Sequence, residues 1–142
     1  MKRNICRVLS VLLMLLIVIS LASCNEKVEK EGVWESASYL KDTTLGKGEK
    51  TFMLEVKADD ELIVFTINTD KTILGDALLE HELISGEESQ YGLYVKKVNG
   101  ILADYDIDGS YWAFYIDGEY ALTGVDSTEI TEGAVYRLER AK

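Results

Sequence analysis

The segment Asp104-Tyr105-Asp106-Ile107-Asp108-Gly109 places three carboxylates at alternate positions ahead of a glycine. Oxygen ligands at that spacing, followed by a tight glycine turn, are what the first half of a calcium loop uses. The pattern also needs a bidentate carboxylate six residues beyond the glycine, and Tyr115 stands there instead. The segment is therefore read as an acidic, solvated turn between strands, and no metal site is expected. Catalytic equipment is sparse. The single histidine, His81, falls on a predicted helix, where such a residue usually packs or faces solvent. No Gly-x-Ser-x-Gly elbow and no phosphate loop occurs. Asp and Glu together number 25, so a carboxylate pair at glycosidase spacing would arise by chance and carries no weight. No enzymatic activity and no required cofactor is expected.

The aromatic residues suggest binding instead. Of the eight tyrosines, six lie between Tyr91 and Tyr120. In the predicted strand Tyr111 to Ile116, side-chain alternation sends Trp112, Phe114 and Ile116 to one face and Tyr111, Ala113 and Tyr115 to the other. A sheet covered by one helix has one open face, and the more apolar Trp112 set is assigned to the covered one. Tyr111 and Tyr115 then form a contact face for a planar ligand, with Tyr94 and Tyr120 as flanks from neighbouring strands. Tyrosines also coat antiparallel sheets simply by packing across strands, and that reading stays open.

The elements that must position these residues can be read from pattern. Phe52, Leu54 and Val56 alternate with Thr51, Met53 and Glu55, as in a half-buried strand. Leu62 to Ile67 is a dense β-branched run and a second strand. Ile73, Leu74, Ala77 and Leu78 fall at helical spacing after Thr72, a candidate N-cap, and Ser85-Gly86 is expected to close this helix. Glu87 to Gln90 reads as loop. Three further strands, Leu93–Val98, Tyr111–Ile116 and Ala134–Arg140, adjoin Asn99-Gly100, Asp117-Gly118 and Glu132-Gly133. Asn-Gly and Asp-Gly suit tight hairpin turns, whose central residues take positive φ. The order predicts an α+β domain with a mainly antiparallel sheet and one helix on one face.

The N-terminus reads as an address. Lys2, Arg3 and Arg7 precede Val8 to Ile19, an apolar run broken only by Ser10 and short for a membrane span. The closing Leu21-Ala22-Ser23-Cys24 resembles the bacterial lipoprotein signal, which implies cleavage before Cys24, lipidation of its thiol and an extracytoplasmic, membrane-anchored product. Residues 1–23 are thus expected to be a signal peptide. Residues 24–50 would be a lipidated N-terminus with tether and loop, and 51–142 the domain. Removing 1–23 takes away three basic side chains and no acidic one, so the formal net charge of −10 becomes −13. Such a surface argues against nucleic acid as partner and against charge-driven adhesion to anionic lipid. Cys6 leaves with the signal and Cys24 is lipidated, so no disulfide is available to the domain.

Gly109-Ser110-Tyr111-Trp112-Ala113-Phe114-Tyr115-Ile116-Asp117-Gly118 resembles the Trp-x-x-Tyr-x-Asn-Gly core of the transcobalamin-like C-terminal domain, with Asp117 in place of the commoner Asn. Gly124-Val125-Asp126-Ser127-Thr128, Ile130, Glu132-Gly133 and the earlier Val98-Asn99-Gly100 follow the same pattern, over roughly Thr51 to Leu138. The resemblance implies a small β-grasp-like fold and capture of a corrinoid or another planar small ligand. The animal carriers add a large helical domain that this chain does not contain. The competing expectation is a cell-surface module that binds a protein or glycan partner by its sheet face or edge.

Overall fold

The computed structural model describes residues 31–142; the signal segment, Cys24 and most of the tether lie outside the described residues. The first element among the described residues is a 3₁₀ helix, Gly32–Ser36. The chain continues through β1 (Thr43–Gly46), β2 (Lys50–Ala58), β3 (Glu61–Thr69), α1 (Leu74–Glu80), β4 (Ile84–Ser89) and β5 (Gly92–Val98). Then come β6 (Ile101–Leu102), the single turn α2 (Tyr105–Asp108), β7 (Tyr111–Ile116), β8 (Glu119–Tyr120), a 3₁₀ turn Val125–Ser127, and β9 (Val135–Ala141). The fold is α+β.

Two sheets form. The larger runs β1-β3-β2-β9-β7-β8, and the smaller β4-β5-β6. Antiparallel pairs dominate, but β9 lies parallel to β2 in the middle of the large sheet, and β1 lies parallel to β3 at its edge. Alternation along the strands decides the faces. Phe52, Leu54, Val56, Phe65, Ile67, Tyr136 and Leu138 are buried together with Leu74, Ala77 and Leu78 of α1 and Val98 and Ile101 of the small sheet. Helix and small sheet therefore share one face of the large sheet. Trp112 links the layers: its indole Nε1 donates to the Lys96 carbonyl of β5 at 3.3 Å. The Trp112, Phe114, Ile116 set faces inward as the alternation predicts.

Three expectations about the elements are corrected. The stretch 32–50, expected as tether and loop, enters the fold at its start. Trp34 is only 7% exposed and its Nε1 donates to the Ala58 carbonyl at 3.0 Å, Ala37 is buried, and Thr43–Gly46 adds a strand. The apolar content is too sparse for a visible period, yet the Trp34 indole ties its start to the end of β2. Second, Thr72 does not cap α1. Its backbone pairs with a distant segment instead: Leu74 N–H donates to Thr128 O at 2.9 Å, and Ile130 N–H to Thr72 O at 2.8 Å. Third, Ser85-Gly86 does not end the helix and Glu87–Ser89 is not loop; both belong to β4. The register against β5 shifts by one residue between Ser85 and Gly86, as at a β-bulge, and a Cβ at Gly86 would stand 2.0 Å from the Tyr94 carbonyl oxygen. Strand pairing there overrides the weak strand preference of the residues.

Candidate binding edge

The turns that shape this region are those the dipeptides foretold. Asp117 and Gly118 both take positive φ, 48° and 87°, and the β7–β8 hairpin closes on them. Asp117 also locks the hairpin to β9: its Oδ1 accepts from Val135 N–H at 2.9 Å, and its own N–H donates to Val135 O at 2.8 Å.

That hairpin sets Tyr115 opposite Tyr120, with ring centroids 5.4 Å apart and planes at 87°, an edge-to-face pair. Tyr120 is 60% exposed, and Leu122, two residues on, is 98% exposed. Ile116, Asp117, Glu119, Tyr120, Ala121 and Leu122 line a groove of about 550 Å³. The chain then runs from Leu122 to Asp126, which reaches the tip of the β4–β5 hairpin: Leu93 N–H donates to Asp126 Oδ2 at 3.1 Å. At that tip Tyr91, 88% exposed, and Tyr94 line a second groove of about 340 Å³ with Glu87, Glu88 and Leu93. Leu122 and Asp126 can be no more than about 14 Å apart along the chain, so the segment after the first groove leads directly to the tip that carries the second.

The structure brings together two of the four tyrosines expected to act together. Tyr111 shares the open sheet face with Tyr115, but four strand residues, about 13 Å, separate them. Tyr94 is on β5, in the other sheet, with the Lys96 ammonium 6.0 Å from its ring centroid. Between Tyr115 and the rest of the open face lies a charged ladder. Val64, Glu55, Arg137, Tyr115 and Tyr120 are successive partners across five strands. Arg137 Nε donates to Glu55 Oε2 at 2.6 Å, and Lys57 Nζ to Glu139 Oε1 at 2.9 Å. The hydrogen bond from Arg137 to Glu55 raises the guanidinium pKa. The centre of the open face is thus flat and ion-paired, and its aromatic character is confined to the β7–β8 edge. Tyr91 and Leu122 escaped the sequence reading as groove residues, and Ile116, read only as inward-facing, also lines the first groove. An apolar Leu122 in a loop has no periodicity, and the flanking Gly124 was the sole hint that it lay outside a strand.

The acidic segment 104–109 is a helical turn. Asp104 caps α2 by accepting from Asp106 N–H at 3.0 Å, and Gly109 ends it at φ 74°. Asp104 also pairs with Lys96 at 3.2 Å. Asp108 accepts from the Ser110 hydroxyl, from Ser110 N–H at 3.0 Å and from Arg140 Nη2. Two of the three carboxylates are committed to protein partners. Among the described residues, no group of three or more His, Cys, Asp or Glu side chains is placed to hold a metal ion. His81 follows α1 with its Nε2 buried against Gly46 and no hydrogen-bond partner. Among the described residues, no helix is long and apolar enough to cross a membrane.

Residues 70–135 match the sequence profile of a domain of unknown function, DUF4430. A protein of Ruminococcus gnavus ATCC 29149, described as a candidate metal-binding protein, has a crystal structure that superposes with a TM-score of 0.63 at 30% identity. The match covers 66% of this chain and 98% of that one. Residues 70–135 of this chain form a DUF4430 domain. The DUF4430 fold also matches part of haptocorrin, solved in complex with Cbi (cobinamide), with a TM-score of 0.50 at 20% identity. That alignment covers 66% of this chain and 25% of haptocorrin, so the likeness is one of fold, to about a quarter of the larger protein. No curated protein matches the chain.

Proposed function

We propose that this DUF4430 protein is a lipid-anchored, extracytoplasmic binding protein that captures a planar, partly apolar small molecule, with a corrinoid as first candidate. One observation carries the reading: Tyr120, held edge-to-face by Tyr115, and the bare Leu122 side chain line a groove with no covering element among the described residues. Exposed aromatic and aliphatic groups at one concave edge suit stacking and hydrophobic contact. The fold likeness to a part of haptocorrin supports the choice of ligand class. The strand order β3-β2-β9-β7-β8, with β2 and β9 parallel at its centre, supports the β-grasp-like reading. The metal-binding role named for the Ruminococcus gnavus protein finds no support in the Asp104–Asp108 turn, whose carboxylates cap a helix and pair with cations. Binding, and not catalysis, is the role proposed.

A second reading rests on a different feature. The flat, ion-paired face around Glu55, Lys57, Arg137 and Glu139 suits a protein partner better than a macrocycle. Titrating cobinamide into the full chain in detergent, followed by absorbance and heat, separates the two. Saturable binding supports capture of a corrinoid. No signal at hundreds of micromolar ligand overturns it and promotes the surface-interaction module. The anchor has its own test: Cys24→Ala is expected to abolish acyl labelling and free the protein from the membrane, and undiminished labelling overturns that part.

A further inference from the structure

Neither groove on the binding edge is lined by a cation. The β7–β8 groove carries Asp117 and Glu119, and the β4–β5 groove carries Glu87 and Glu88. Asp126, on the segment that links the first groove to the β4–β5 tip, has its Oδ1 buried with no hydrogen-bond partner. The nearest ammonium is Lys96, and it is consumed. It pairs with Glu87 at 2.9 Å and Asp104 at 3.2 Å, and these carboxylates raise its pKa. Other cations are equally committed: Arg137 and Lys57 to the open-face ladder, Arg140 to Asp108. Glu88, Asp117 and Glu119 have no ion-pair partner among the described residues, and apolar contacts beside such carboxylates attract one sign of ligand and repel the other.

We infer that the binding edge selects planar ligands by charge, taking cationic or neutral molecules and rejecting those with a phosphate or carboxylate tail. The inference rests on the small-ligand reading above and adds the sign of charge that the Glu88, Asp117 and Glu119 rim admits. A bound anion would meet these carboxylates without a facing Lys or Arg to neutralise it. A phosphate normally needs an Arg fork, a lysine or a free helix N-terminus. None of these lines either groove.

Cobinamide and cobinamide phosphate share one macrocycle and differ by a single phosphate, so they isolate the charge term. Both would be titrated into the full chain in detergent, with the same axial ligands, at low and high ionic strength. Cobinamide is expected to bind roughly ten-fold more tightly at low salt, with the ratio falling toward one as added salt shortens the Debye length. The double variant Glu88→Gln/Glu119→Gln should shrink the low-salt ratio severalfold, its fold checked by an unchanged melt. If both ligands bind with equal affinity at low salt, the charge selection is wrong and the small-ligand reading stands. Tighter binding of the phosphate also overturns the selection. If neither binds, the underlying reading fails and takes the selection with it.

Discussion

The side-chain amide of Asn99 pairs with the backbone of Tyr39, sixty residues away, as a second strand would: Asn99 Nδ2 donates to Tyr39 O at 2.8 Å, and Tyr39 N–H donates to Asn99 Oδ1 at 2.9 Å. Its own peptide is also fully used, since Asn99 N–H donates to Leu83 O at 2.7 Å and Asn99 O accepts from Ser38 N–H at 2.9 Å. Asn99 is completely buried and sits at φ 51°, a conformation that Asn tolerates better than most residues. Gly100 completes the turn, and a Cβ there would stand 2.4 Å from Ser36 O. One hairpin turn thus clamps the N-terminal segment to the small sheet.

Removing that clamp should be costly. Asn99→Ala leaves the half-buried Tyr39 N–H and C=O unpaired and forces alanine into positive φ, which together are expected to cost about 2–4 kcal/mol. Asn99→Gly relieves the backbone strain but not the lost hydrogen bonds, so it should fall between wild type and Asn99→Ala. Urea melts of the three proteins measure the order. A loss below about 0.5 kcal/mol in Asn99→Ala would mean that the clamp is not holding the segment.

Trp34 tests the same segment from the other side. Its ring is buried in the main core and its Nε1 holds the Ala58 carbonyl at the end of β2. Trp34→Ala should destabilise the protein by about 3–5 kcal/mol, as expected for a buried large aromatic. A melt within error of wild type would return residues 32–40 to the status of a tether.

Stability should fall in acid through Asp108. The Ser110 hydroxyl above all, with Ser110 N–H and Arg140, holds its carboxyl down from the ordinary 3.8 to about 2. A depressed folded-state pKa contributes stability that is present above the unfolded value and is lost as pH falls through the folded one. The window is therefore pH 3.8 to about 2. Asp108→Asn should be less stable at neutral pH and show a shallower decline across that window. Parallel curves for variant and wild type would show that Asp108 does not titrate as described.

The two faces of β7 should separate under mutation. Tyr115→Ala is expected to weaken cobinamide capture by about 1–3 kcal/mol while leaving a cooperative melt, because its ring stands at the solvent edge with Tyr120. Trp112→Ala should lower stability by about 3–5 kcal/mol, since its indole bridges the two sheets through Lys96 O. A fully stable Trp112→Ala that loses binding would reverse the assignment of faces.

Local signals were legible wherever neighbouring residues decide the outcome. The period-two runs of β2 and β7, the β-branched run of β3, the helical spacing at Leu74, Ala77 and Leu78, and the positive-φ turns at Asn99-Gly100 and Asp117-Gly118 all follow from side-chain preferences or backbone sterics within a few residues. The inward face of Trp112 follows from the same alternation. What the sequence could not determine are pairings between distant segments. The burial of Trp34 depends on Ala58, the start of α1 on Thr128 to Ile130, and the acidic strand β4 on register with β5. The candidate site divides in the same way. Tyr115 and Tyr120 were readable because one tight turn places them opposite each other. Tyr94 was not, because its strand pairs into a second sheet. The docking of the segment after Leu122 onto the β4–β5 tip through Asp126 is set by tertiary packing and absent from any local window of the chain.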